Sequence, residues 1–154
     1  ATLGFLDEVF NENLIESSPS NRFCDFLRGT HLVVESGSLG DMLPVVFGRI
    51  LDVPDASPCP WFFYCPRPDI SWEGMDNFWL SRDYQAQSLS TVLVRYRKPL
   101  SPSERDDMLR ITRSMSKTDD AVMRDDYLLV DMKLARPAID IHKWPIEQFQ
   151  DNYD

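Results

Sequence analysis

The strongest local signal in the sequence is the run SPSE at residues 101–104. A serine at an N-cap accepts a hydrogen bond from the third residue of the helix, and a glutamate at that third position bonds back to the backbone. Proline is favoured at the first helical position, because an N–H there would have no partner inside the helix. The run therefore predicts a helix that begins after Ser101 and ends near residue 116, with Met108, Ile111 and Met115 on its buried side.

Hydrophobic patterning predicts further elements on both sides of this helix. An apolar residue every three or four positions indicates a helix, whereas alternation or a short apolar run between prolines indicates a strand. The predicted helices cover residues 2–15, 19–29 and 145–149, and the predicted strands cover 31–36, 61–65, 77–80, 88–97 and 127–134. Residues 37–55 fit a buried strand or one helix face, and their β-branched residues with Pro44 favour the strand.

This order of elements predicts an α+β fold. We expect N-terminal helices followed by a mostly antiparallel sheet of four to six strands, with the capped helix inserted late. The regular alternation of a doubly wound parallel sheet is not present. A length of 154 residues fits one globular domain over residues 1–154, and no repeat or long linker divides the sequence.

Composition and cysteine content restrict the class of protein. Hydrophobic residues make up 43% and charged residues 27%, which excludes collagen-like and disordered chains. No apolar run approaches the ~20 residues of a membrane-spanning helix, so we expect no membrane association. The three cysteines Cys24, Cys59 and Cys65 cannot form a closed set of disulfides. With no secretory signal pattern at Ala1, we expect an intracellular, reducing compartment.

The net charge of −9 is unevenly distributed. Residues 1–77 hold 12 acidic and 4 basic side chains, whereas residues 78–154 hold 13 acidic and 12 basic ones. An acidic half repels nucleic acid and anionic membranes and attracts a basic partner, or it serves solubility alone. If the domain binds another protein, we expect that protein to be basic.

Two short motifs suggest metal-dependent chemistry: Pro68-Asp69, and Asp131-Met132-Lys133 at the end of an apolar strand. Together they resemble the signature of the PD-(D/E)xK metal-dependent nucleases. The resemblance implies that Asp69 and Asp131 hold Mg²⁺ or Mn²⁺, since hard divalent cations take carboxylate ligands, and that Lys133 steadies the attacking water. The two acids are 62 positions apart, farther than the short hairpin that joins these motifs in the family.

His31 and Asp52 precede these motifs. The resulting order His…Asp…PD…DxK also resembles that of viral cap-snatching endonucleases. The alternative is that a D-x-K triplet on a strand simply faces solvent, because alternate residues share one side of a strand.

Eight of the 18 aromatic residues lie within residues 61–84. The first four form a predicted buried strand, whereas Trp72, Trp79 and Tyr84 lie among acids in irregular sequence. Exposed rings contribute affinity at an interface, and surrounding acids select a basic partner. We therefore expect Trp72, Trp79 and Tyr84 to contact a partner. The alternatives are that these rings line a small-molecule pocket or pack under a loop.

Basic side chains concentrate between residues 95 and 117. Arg110, Arg113 and Lys117 share one face of the capped helix, and Arg95 and Arg97 share one face of the strand before it. Together they predict a site for an anion or a nucleic-acid backbone. The alternative is a solvated surface whose charge is balanced by nearby acids.

Glycine-rich phosphate loops and the HExxH and GxSxG motifs are absent from the sequence. The leading prediction is therefore a non-enzymatic protein-interaction or regulatory domain with no cofactor. The first alternative is a PD-(D/E)xK nuclease that uses Mg²⁺ or Mn²⁺ and acts on nucleic acid. The second alternative is an enzyme or binding protein with an aromatic small-molecule pocket. Whether the chain is an enzyme stays open on the sequence.

Overall fold

The computed structural model describes residues 9–35, 40–54, 59–66, 74–115 and 117–150. The helices there are α1 (Asn21–Leu27), α2 (Leu43–Leu51), α3 (Met75–Leu80), α4 (Pro102–Ser114) and α5 (Ala138–Lys143). The strands are β1 (Leu32–Glu35), β2 (Trp61–Tyr64), β3 (Tyr84–Ser88), β4 (Val94–Arg95), β5 (Met123–Arg124), β6 (Tyr127–Val130) and β7 (Lys133–Pro137). Short 3₁₀ turns cover Gly40–Met42, Asp119–Ala121 and Ile146–Gln148. Within these ranges, no helix has the length and apolar character needed to cross a bilayer.

The strands form two sheets. The larger sheet has the order β1-β2-β7-β3, in which β1 and β2 are parallel and the other neighbours are antiparallel. The smaller sheet has the order β4-β6-β5 and is antiparallel. The mixed α+β prediction is therefore confirmed in its general form. The predicted arrangement of one sheet after N-terminal helices is not observed, because α2, α3 and α4 lie between strands along the chain.

Two long predicted strands each break into two strands that belong to different sheets. The predicted strand over 88–97 becomes the end of β3 in the larger sheet and β4 in the smaller one. The predicted strand over 127–134 becomes β6 in the smaller sheet and the start of β7 in the larger one. The chain crosses between the sheets at Asp131 and Met132, where the Leu89 N–H donates to the Met132 carbonyl at 2.7 Å.

Helices α2 and α3 pack on one face of the larger sheet and bury an aromatic cluster. The ring centroids of Phe47 in α2 and Phe62 in β2 are 4.8 Å apart, and those of Phe62 and Trp79 in α3 are 5.2 Å apart. Tyr64 and Tyr84 complete the cluster against the Trp79 ring. This packing fixes α3 against β2 and β3, which is where the sequence predicts functional aromatic residues.

Helices α2 and α3 occupy segments that sequence patterning assigns to strands, and both of those predictions are wrong. Pro44 lies in the first turn of α2, where a helix tolerates proline, and Val46 and Ile50 share its buried side at a spacing of four. In α3 the buried residues Met75 and Trp79 are also four positions apart, which places both on one helical face. Apolar residues in these segments would be buried in a strand or in a helix. Their spacing of four positions favours the helix.

Helix α4 begins as its capping signal predicts. The Ser101 Oγ accepts a hydrogen bond from the Glu104 N–H at 3.1 Å. The predicted buried side is correct for Met108 but wrong for Ile111, which is 40% exposed, while Met115 is half-buried. The residues that α4 buries are Met108, Leu109 and Thr112.

The predicted N-terminal helices have different outcomes. The helix predicted over residues 2–15 is not found in its described part, since 9–13 have no regular structure and 14–16 form a turn. Residues 1–8 lie outside the described residues. The next predicted helix is α1, and its N-cap Ser20 accepts a hydrogen bond from the Phe23 N–H at 3.2 Å.

Candidate functional site

Asp131 and Lys133, two residues of the nuclease-like pattern, lie where the chain enters β7. The Lys133 Nζ is 3.2 Å from the Asp131 Oδ2, and the Ser88 hydroxyl donates to the same oxygen at 3.0 Å. The Cys65 thiol lies near this end of the sheet, where burial, together with the negative charges of Glu35 and Asp131, raises its pKa. Asp131, Lys133 and Ser88 therefore form a small polar network at one end of the larger sheet.

The remaining residues of the nuclease pattern do not assemble around Asp131 in the part of the chain that is described. Asp69, the other predicted metal ligand, lies outside the described residues. Asp52, at the end of α2, pairs with Arg82, and the hydrogen bond from Arg82 lowers the pKa of Asp52. His31 precedes β1, at the opposite end of the larger sheet from Asp131.

Metal binding receives no support from the described ranges. Across them, no group of three or more His, Cys, Asp or Glu side chains is placed to hold a metal ion. His31 and Asp52, the first two residues of the predicted order His…Asp…PD…DxK, thus do not cluster with Asp131 and Lys133. The nuclease interpretation stays a prediction.

Trp79 and Tyr84 are core residues, with exposed fractions of 1% and 5%. The Trp79 Nε1–H donates to the Tyr64 hydroxyl at 3.0 Å, and the Tyr84 hydroxyl donates to the Pro60 carbonyl at 2.9 Å. Burial raises the pKa of Tyr84 well above its ordinary value. An interface anchor must be exposed in the free protein, and these two rings are not. Trp72, the third predicted anchor, lies outside the described residues.

A cleft of about 280 Å³ opens between α3, β3 and β7. Its lining unites Trp79 and Tyr84 from the aromatic prediction with Lys133 from the nuclease prediction. The other lining residues are Asp76, Leu80, Gln85 and Ala86. The volume lies near the lower end of the range for ligand pockets, so this cleft is the observation that bears on the small-molecule alternative.

The four predicted arginines of the basic strip each form a salt bridge with an acidic side chain. The pairs are Arg95–Asp125, Arg97–Glu104, Arg110–Asp107 and Arg113–Asp119. The least exposed pair is Arg97–Glu104, with an N···O distance of 2.6 Å. Lys117 is exposed beyond the end of α4. These carboxylates compensate the positive charge, which favours a balanced, solvated surface, and anion binding stays a prediction.

Strand β1 presents an apolar surface that sequence analysis did not single out. Leu32 is 51% exposed and Val34 is 62% exposed, although both lie in a regular strand. Alternate side chains of a strand share one face, so these two lie side by side. Their Cα partners in β2 are Trp61 and Phe63, which are half-buried. The sequence feature that indicates this surface is the consecutive aliphatic run in β1, because such a run supplies apolar side chains to both faces of the sheet.

Backbone N–H and C=O groups of β1 also point outward along its outer edge. The Trp61 N–H donates to the His31 carbonyl at 2.8 Å. In a parallel ladder with this register, the bonds to β2 continue through Val33 and Glu35. The N–H and C=O groups of Leu32 and Val34 therefore point away from β2, and no strand in the described ranges pairs with them.

Comparison with protein-family models, with curated proteins and with solved structures finds no match to this chain.

Proposed function

We propose that the chain is a protein-interaction domain that binds an extended segment of a partner protein along the outer edge of β1. The observation that carries the proposal is the coincidence of outward backbone groups and exposed aliphatic side chains at Leu32 and Val34. In this mode of recognition, main-chain hydrogen bonds supply affinity and alternate side chains supply specificity.

Among the described residues, the exposed positions of β1 lack the lysine and proline that often protect a free strand, although the strand is short and turns Glu35 inward. Natural proteins protect such edges with lysine, proline, bulges or a covering element, because an open edge pairs with other chains. The sequence of β1 is LVVE, without lysine or proline, and its exposed positions are aliphatic. The other edge strand of the larger sheet, β3, has a buried Tyr84 and polar Gln85 and Gln87 instead. These contrasts favour β1 as the binding edge.

The exposed side chains of β1 and the side chains of β2 beside them form one apolar surface, which an added strand would extend. Leu32 is in register with Trp61, and Val34 is in register with Phe63. A strand added beside β1 would lie about 5 Å away, and its alternate residues on the same face of the sheet would lie next to Leu32 and Val34. Burial of these two exposed aliphatic side chains would contribute to the free energy of binding, at ~25 cal/mol per Å² of apolar surface removed from water.

Charge favours a basic partner over a second copy of the chain. Two copies that each carry a net charge of −9 repel one another. Strand β1 lies in the half of the sequence that has 12 acidic and 4 basic side chains. A segment with alternating apolar residues and flanking lysines therefore combines the required pairing with electrostatic attraction.

A peptide titration tests the proposal. The probe is a labelled peptide of alternating valine and threonine with lysine at both ends, followed by fluorescence anisotropy. We expect saturable binding that Val34→Lys weakens by at least about tenfold, because the substitution adds charge to the edge. Val92→Lys is the matched control, since Val92 is 60% exposed and lies outside both sheets.

A second probe isolates the backbone contribution. The same peptide with N-methyl groups on alternate residues cannot form the ladder, and we expect it not to bind. Equal binding of both peptides, or an equal effect of the Val34 and Val92 substitutions, contradicts strand addition at β1. If the chain self-associates and Val34→Lys abolishes that self-association, the edge of β1 binds a second copy of the chain. That result contradicts the proposal.

A further inference from the structure

The cleft between α3, β3 and β7 carries opposite charges on two of its walls. Asp76 belongs to α3, and Lys133 belongs to β7. Among the described residues the two side chains form no salt bridge with each other, although both line one space of about 280 Å³. A molecule placed between them would meet a carboxylate on one wall and an ammonium on the other.

Neighbouring residues hold the Lys133 ammonium in place. Its Nζ is 3.2 Å from the Asp131 carboxylate, which the Ser88 hydroxyl orients at 3.0 Å. An ammonium group has three donors, so this bond leaves others for a ligand. Lys133 is also in register with Tyr64 of β2 and Ser88 of β3, so β7 has a neighbouring strand on each side at this position.

The other walls of the cleft combine the polar Gln85 with aliphatic and aromatic side chains. Leu80 and Ala86 contribute aliphatic surface, and the edges of Trp79 and Tyr84 form part of the wall. Both aromatic rings are fixed by packing in the core, and the Trp79 Nε1–H is bonded to the Tyr64 hydroxyl at 3.0 Å. A wall that is already ordered costs little further entropy when a ligand binds.

We infer that this cleft binds a zwitterionic small molecule of amino-acid size, with its carboxylate on Lys133 and its ammonium on Asp76. The volume corresponds to about nine water molecules at ~30 Å³ each, which is enough for an amino acid. Leu80 and Ala86 favour an apolar side chain on that molecule. The inference is independent of partner binding at β1.

Calorimetric titration with L-leucine tests the inference, with L-leucine methyl ester and N-acetyl-L-leucine as probes that each lack one charge. We expect L-leucine to bind in the millimolar range and each blocked form to bind at least about fivefold more weakly, a difference of about 1 kcal/mol. Asp76→Asn removes the partner of the ammonium, and we expect it to lower the affinity for L-leucine to about that for N-acetyl-L-leucine, whose own affinity should not change. Asp41→Asn, at an exposed acid away from the cleft, is the matched control.

A second variant addresses the other charge. Lys133→Met is expected to remove the preference for a free carboxylate, so that L-leucine and its methyl ester bind alike. Lys143→Met, at the exposed end of α5, is the control. No heat with L-leucine, or binding that neither Asp76→Asn nor Lys133→Met alters, overturns the inference. Val34→Lys should leave L-leucine binding unchanged, so failure here and failure of partner binding at β1 are distinguishable.

Discussion

Replacement of Trp79 by alanine is expected to destabilise the fold by about 4 kcal/mol. Removal of a buried phenylalanine or tryptophan side chain costs about 3–5 kcal/mol, and Trp79 is 1% exposed. The lost hydrogen bond from its Nε1–H to Tyr64 contributes about 1 kcal/mol of that sum. The rings that lose a packing partner within 6.0 Å are Phe47, Phe62, Tyr64, Phe78 and Tyr84.

Urea unfolding followed by circular dichroism measures this loss. With a denaturant dependence of about 2 kcal/mol per molar, a loss of 4 kcal/mol lowers the unfolding midpoint by roughly 2 M. Trp144→Ala is the matched control, because Trp144 is 42% exposed and its loss is expected to cost under about 1 kcal/mol. Trp79→Phe keeps one ring in the core and is expected to fall between the two.

The opposite result would refute the assignment of Trp79 to the core. If Trp79→Ala and Trp144→Ala change the free energy of unfolding by similar amounts below about 1 kcal/mol, the ring does not support the fold. Trp79 would then have to be considered again as an interface residue, as sequence analysis predicts.

Three further predictions concern local interactions. Ser101→Ala is expected to cost about 1 kcal/mol in urea unfolding, since it removes the acceptor for the Glu104 N–H, and Ser101→Gly should cost less. Burial raises the pKa of Tyr84 in the folded state, so stability is expected to fall as pH rises above about 10, where the unfolded tyrosine ionises; Tyr84→Phe should reduce this slope in alkaline unfolding curves. Arg97→Ala should lower the melting temperature more than Arg95→Ala, because the Arg97 pair is less exposed; equal shifts would contradict this ranking.

Features of the fold that depend on neighbouring residues were predictable from the sequence. The helix after Ser101 follows from a capping interaction that spans three residues, and the strands at β1 and β2 follow from short apolar runs between turn residues. For the candidate site, Asp131 and Lys133 of the D-x-K triplet lie 3.2 Å apart at the start of β7, and the role predicted for them stays a prediction. Each of these features is decided within a few positions of the chain.

Features that depend on distant contacts were not predictable. No turn residue interrupts the strand pattern over 127–134, yet β6 and β7 join different sheets, because pairing with β4 and β2 decides where each strand ends. Trp79 lies in polar sequence but is buried, since α3 turns it onto rings from α2 and β2. The exposure of Leu32 likewise depends on which strand occupies the edge of the sheet.

Amide hydrogen exchange at β1 tests the central claim most directly. In the free chain, we expect the amides of Val33 and Glu35 to exchange roughly 100-fold more slowly than those of Leu32 and Val34, a difference of about 2.7 kcal/mol in local opening free energy. The basic valine–threonine peptide should then slow exchange at Leu32 and Val34 alone. Equal protection of all four amides in the free monomer would show that the edge is already paired and would contradict the proposed function.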